Sequence, residues 1–215
     1  MKQIIIICSI IIGLISCNDK SLQLPQVPLS GLSGNMNHSQ IWVFYNQESA
    51  QADLNINNTI SSTDWIINID RRLALSEVIP IFQLIKKKRT KKSIHNVEGM
   101  QNFLSYSDTY NKEIALFSMD SIQYIMESQA DIAKIEQRIP CDYRLVFCQE
   151  VIELNQREFT IDQWKTISLD TLTPGQIQLH FDSKLTYQDY MLYRLTLNDI
   201  LPKEMIVEST EYFIK

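Results

Sequence analysis

The sequence predicts an α+β fold, a mixed sheet with helices packed on it, on three observations. Short runs of β-branched and aromatic residues bounded by turn residues recur along the chain, and segments with apolar residues at helical spacing lie between them. A strand–acid–helix pattern is also written twice, as "WIINIDRRLALSEVI" (65–79) and "IQLHFDSKLTYQDYM" (177–191).

The first twenty residues stand outside that pattern. Lys2 precedes an apolar run from Ile4 to Ile15 that is too short to span a bilayer and ends in Leu14-Ile15-Ser16-Cys17. A charged start, a short apolar core and a small residue at the cut describe an export signal over residues 1–16. Leu-x-Ser-Cys resembles the lipobox of bacterial lipoproteins, which implies that Cys17 receives lipid and becomes the first residue. An ordinary signal peptide or short anchor is the alternative. The expected location is the cell membrane or outer membrane, lipid-anchored and facing the periplasm. Residues 17–40, with Pro25, Pro28, Gly31 and Gly34 and no periodic pattern, read as the lipidated cysteine and a flexible tether spanning roughly 26 Å as a coil.

The folded part, 41–215, is expected to begin with a strand at "IWVFYN". A strand at "DWIINID" (64–70) leads into a helix at 75–88, where Val78, Ile81, Phe82 and Ile85 share a face, Ser76 is the expected N-cap and Pro80 falls in the first turn. "NVEGMQNFLSY" (96–106) reads as a short helix, "EIALFSM" (113–119) as a strand, and residues 120–138 as a long helix with Ile122, Ile125, Met126, Ile132 and Ile135 on one face. A strand region runs from "DYRLVFC" to "IEL". "REFTIDQWKTISL" (157–169) is open between strand and helix. Strand "QIQLHFD" (176–182), helix "YQDYMLYRLTLNDI" (187–200) and strand "EMIVESTEYFI" (204–214) complete the chain.

Aligned on Asp70 and Asp182, the two segments match Ile67 with Leu179, Asn68 with His180, Ile69 with Phe181, Arg72 with Lys184, Leu73 with Leu185, Leu75 with Tyr187 and Glu77 with Asp189. Each is a strand, an acid turn, one apolar residue and an amphipathic helix. Repeat units over about 41–119 and 140–215 would account for this, and so would two ordinary strand-to-helix turns, where Asp is favoured. The second copy, with the connector "PK" and the strand "EMIVEST", resembles the end of the periplasmic domain of the ExbD and TolR biopolymer-transport family. That family carries a membrane helix with a buried acid for proton coupling. Here Ile4–Ser16 contains no Asp or Glu, so the resemblance implies a periplasmic recognition module without energy transduction, whose two units imitate the family's dimer.

Charge and chemistry bound the function. The chain carries 20 basic and 25 acidic residues; loss of Lys2 with the signal leaves 19 against 25, a balance of −6. Nothing in that balance suggests a nucleic-acid partner. Cys141 and Cys148 lie too far apart along a strand or helix for a bridge, so free thiols are expected unless a tight hairpin joins them. No metal or cofactor motif appears, and His38, His95 and His180 lack metal-ligand spacing. The chain reads as a non-enzyme that binds a protein or envelope partner. The strand edge at Met205, Val207 and Ser209 is the expected partner contact, by β-augmentation as the resemblance implies. The run "KKKRTKK", holding Lys86, Lys87, Lys88, Arg89, Lys91 and Lys92, reads either as a solvated helix end or as an anionic-lipid contact. Two alternatives stay open: an envelope hydrolase using His180 and Asp182, which share a strand face, and a structural lipoprotein subunit.

Overall fold

The computed structural model describes residues 21–33, 37–90, 99–136, 141–167, 169 and 172–215. The fold is α+β; the described residues form two six-stranded mixed sheets and four helices. The first sheet holds β1 (Gln26–Val27), β2 (His38–Tyr45), β3 (Ala52–Asn55), β4 (Asp64–Ile69), β5 (Asn102–Asp108) and β6 (Glu113–Ser118). Its order is β3-β2-β4-β5-β6, with β1 also on β5. The second holds β7 (Gln123–Glu127), β8 (Tyr143–Phe147), β9 (Val151–Leu154), β10 (Arg157–Thr160), β11 (Gln176–Asp182) and β12 (Ile206–Ile214), in the order β10-β9-β8-β11-β12-β7. The helices are α1 (Leu75–Thr90), α2 (Gln129–Glu136), α3 (Ile161–Thr166) and α4 (Tyr187–Ile200).

Each sheet contains the same unit: a hairpin, a strand parallel to the hairpin's first strand, a helix, and a further parallel strand. In the first, β2 pairs β4 with Ile41 opposite Ile67 and Val43 opposite Ile69. In the second, β8 pairs β11 with Leu145 opposite Leu179 and Phe147 opposite Phe181. These are equivalent positions under the Asp70–Asp182 alignment. They belong to the core cluster that also holds apolar residues of α1 and α4, and both faces of β4 and β11 are buried. The two helical layers share one core. Phe82 of α1 meets Tyr124 of β7 at 4.8 Å and Tyr187 of α4 at 6.2 Å, and Phe147, Phe181 and Phe213 stack in a row across the second sheet.

Several expectations are corrected. The stretch 21–33 is docked, not a flexible tether, and residues 38–40 already belong to β2. Ser107 N–H donates to the Pro25 carbonyl, Thr109 N–H to the Val27 carbonyl, and Val27 is fully buried. Proline donates nothing but accepts normally, so an irregular sequence serves an irregular backbone route. The second half of "NVEGMQNFLSY" is strand β5, not helix, and the first half lies outside the described residues. The long helix expected over 120–138 is strand β7 followed by the short α2. Its apolar positions coincide with helical spacing only because strand and helix abut at Ser128, whose side chain and carbonyl both receive the Asp131 N–H. Helix α1 starts one residue before the expected cap, so Ser76 lies inside the first turn and Pro80 in the helix interior. The ambiguous 157–169 region divides into β10 and α3, joined by a Thr160–Gln163 capping box.

Candidate functional site

The two acid turns face each other. Leu75 N–H donates to the Leu185 carbonyl and Tyr187 N–H to the Leu73 carbonyl; Ser76 N–H donates to the Ser183 carbonyl and Gln188 N–H to the Arg71 carbonyl. Under the alignment these four bonds form two reciprocal pairs, which is the pattern of a twofold interface, in which residue i meets j and j meets i. The physical need behind it is general: the first amides of a helix have no partner in their own helix. Here each helix start is satisfied by the turn of the other unit. Helix α4 adds a capping box between Thr186 and Asp189, which Ala74, with no side-chain acceptor, cannot supply to α1.

Asp70 and Asp182 shape these turns alike. Each accepts the backbone N–H two residues on through Oδ1, at 3.1 Å from Arg72 and 2.8 Å from Lys184, and each carbonyl accepts the N–H three residues on. Beyond that they part. Asp70 is fully buried, holds the Arg72 guanidinium at 2.8 Å, and accepts Gln23 N–H at 3.1 Å. Burial pushes its carboxyl up, but the bonds from Arg72 and Gln23 outweigh that and hold it below the ordinary carboxylate value. Arg72 lies 4.7 Å over the Tyr45 ring, and Gln188 of α4 grips Gln26 through both its N–H and its carbonyl. The N-terminal segment therefore closes the first turn.

The equivalent end of the second sheet is a cleft of about 300 Å³ under α2, lined among others by Arg144, Cys148, Glu153, His180, Asp182 and Lys184. It brings His180 and Asp182 into one cavity, as their strand spacing implies. His180 is 1% exposed and stacks on Tyr212 at 4.8 Å. Burial, with Arg144 nearby, pushes its pKa down to about 3, so the imidazole is neutral throughout the physiological range. A general base works best with a pKa near the operating pH, and this one lies far below. Burial also pushes the Cys148 thiol up, away from thiolate reactivity. Cys141 and Cys148, half-buried at the two ends of β8, are not bridged to each other. Among the described residues no group of three His, Cys, Asp or Glu is placed to hold a metal.

The expected partner edge is corrected in part. From Glu211 to Ile214, β12 is interior, flanked by β11 and by β7. Pairing with β7 begins only at Gln123 opposite Thr210; before it, Ile206 and Val207 pair with Gln176 and Ile177 of β11, a register shift follows through Glu208–Thr210, and Ile206–Ser209 have no described strand on the other side. Ile206 N–H donates to the Gly175 carbonyl on the β11 side, so alternation turns the amide of Val207 outward. Met205 lies before the strand and donates to the Pro202 carbonyl. Other edges are blunted: Glu77 accepts Ala52 N–H on β3, Leu32 and Leu116 exchange backbone bonds beside β6, and Gln83 donates to the Tyr124 carbonyl of β7. Strand β10 is four residues long with Arg157 and Glu158, the usual defences of an edge.

The basic run is drawn into the structure. Lys86 donates to the carbonyls of Met119, Asp120 and Ile122, and Lys88 to Thr59 Oγ1 at 2.8 Å. Arg89 lies 3.7 Å over the Trp65 ring and donates to Asn102 Oδ1 and the Ser61 and Thr63 carbonyls. Lys86 and Arg89 thus clamp the end of the helix to the neighbouring loops, while Lys87 is exposed. Lys91, Lys92 and His95 lie outside the described residues, as does Cys17. Sequence reasoning also missed a buried trio in the second unit. Glu211 accepts from Tyr190 at 2.8 Å and Arg194 at 2.6 Å; burial pushes its carboxyl up despite Arg194. A charged residue at an inward strand position was the available signal.

Comparison with known proteins returns no matching family model, no matching curated protein and no matching solved structure.

Proposed function

We propose that the protein is a lipid-anchored cell-envelope protein, held through Cys17 and facing the periplasm, whose ExbD-like domain binds an extended segment of a protein partner. It does so without catalysis or proton-coupled energy transduction. The two units are read as copies that stand in one chain for a dimer, an interpretation supported by the reciprocal bonds between their turns.

The observation that carries the binding reading is the half-paired stretch of β12. Ile206–Ser209 offer a free flank at the position where β7 has not yet begun, and Ile206 is 61% exposed beside it. An extended segment could continue the line of β7 there, taking affinity from backbone bonds and specificity from alternate side chains. The hydrolase reading is weakened by the buried, neutral His180.

Proline at Val207 removes the outward donor. The expected result is loss of partner capture after crosslinking in envelopes, with thermal unfolding little changed. Capture that persists at full strength in a folded Val207→Pro chain would overturn the reading.

A further inference from the structure

The docked N-terminal segment fixes where a lipid anchor would place the domain. Gln23 is already bound to Asp70 and Arg71, which leaves six residues from Cys17 to Gln23, a reach of at most about 20 Å. From Gln23 the chain runs through β1 alongside β5 towards the β5–β6 hairpin tip. There Thr109 N–H donates to the Val27 carbonyl and Asn111 bonds Ser30 at 2.7 Å.

That tip and the strand beside it carry three of the large exposed apolar side chains: Tyr110 at 80%, Ile114 at 61% and Leu32 at 58% exposed. Leu32 bridges Leu116, and Ile114 is two residues from Leu116 on the same face of β6. Leu32 and Ile114 are therefore diagonal neighbours on one surface. Lys112 sits between Tyr110 and Ile114 with a left-handed φ of 58°, beside Glu113. An aromatic tip, two aliphatic side chains and a lysine at the point of chain entry suit the headgroup region of a bilayer, where aromatic rings and snorkelling lysines settle.

We infer that the β5–β6 tip, with Tyr110, Ile114 and Leu32, contacts the bilayer that holds Cys17, so that the anchor and the tip together orient the domain. This rests on the lipid-anchor reading above. The free flank of β12 lies at the opposite end of its strand from the paired turns, about 27 Å away along nine residues.

The test uses the lipidated full chain with Tyr110→Trp in vesicles of phosphatidylethanolamine and phosphatidylglycerol. The substitution is at an exposed tip and leaves the core alone. The inference predicts that the emission added by this tryptophan, taken as the difference from the unsubstituted chain, shifts to the blue. Lipids brominated on their acyl chains near the headgroup should quench it, and the quenching should vanish in the Cys17→Ser form. A chain that floats with the vesicles while the added emission stays unquenched and water-like overturns the contact and leaves the anchor standing. A chain that carries no lipid and does not float overturns both.

Discussion

The two units of the molecule share strand order, register and turn geometry, yet differ in what fills the mouth beside the acid turn. In the first, Gln23 and Arg72 bond Asp70, whose carboxylate is sealed from solvent, while Gln188 holds the neighbouring Gln26. In the second, the same position opens into a cleft with Asp182 and Lys184 on its wall. A shared backbone plan therefore fixes the shape of a turn and the start of a helix, while the residues beyond it decide whether the place is structural or available.

The largest expected effect tests that difference on the acids themselves. Asp70→Ala leaves Arg72 and the Gln23 amide without their acceptor and is expected to cost about 2–3 kcal/mol, discounted because Arg72 is partly exposed. Asp182→Ala removes one turn bond and is expected to cost about 1 kcal/mol. Urea unfolding measures both, and equal losses would break the distinction between the units.

Next is Val27→Ala, expected to cost about 2 kcal/mol through the emptied pocket. Its signature should be regional: faster amide exchange at Ser107 and Thr109, which donate to the N-terminal segment, and little change at the amides of β11.

Acid supplies a third test. The folded pKa of Asp70 lies below its ordinary value of 3.8, so its contribution is fully present above that value. It is lost as pH falls through the folded pKa. Asp70→Asn should flatten the acid limb of the stability curve there. An unchanged acid limb would show that the seal contributes nothing.

The smallest effect concerns His180. With its pKa near 3, its ring proton chemical shifts should stay flat between pH 5 and 8. A titration in that window would restore it as a candidate base and sharpen the cleft into a candidate active site.

Much of the fold was legible because burial writes itself as periodicity. Helix α4 was bounded at Tyr187 and Ile200 by its apolar spacing, and β4 and β11 by short apolar runs ending in Asp. Residues 120–138 misled because Ile122 belongs to a turn before a strand and Ile132 to a helix after it, and a 3.6-residue spacing runs across both. The docking of Gln23–Val27 left no pattern, since its bonds are made by backbone groups, by Asp70, 47 positions from Gln23, and by Gln188, 162 positions from Gln26. Of the site, the equivalence of Asp70 and Asp182 was visible in the alignment. The free flank at Val207 and Ser209 was indicated by mixed polarity, but its limit at Thr210 depends on where β7 begins. The engagement of Lys86 and Arg89 by distant carbonyls could not be read from a run of like charges.

The most direct test of the recognition account is photo-crosslinking in intact envelopes, with the reactive side chain at Ser209 on the free flank of β12 and, in a separate chain, at Glu158 on the short edge strand β10. The account predicts a discrete crosslinked species of one partner from position 209, lost when Val207 is also proline, and none from position 158. Equal crosslinking from both positions, or none from 209 in a folded chain that captures its partner, would contradict it.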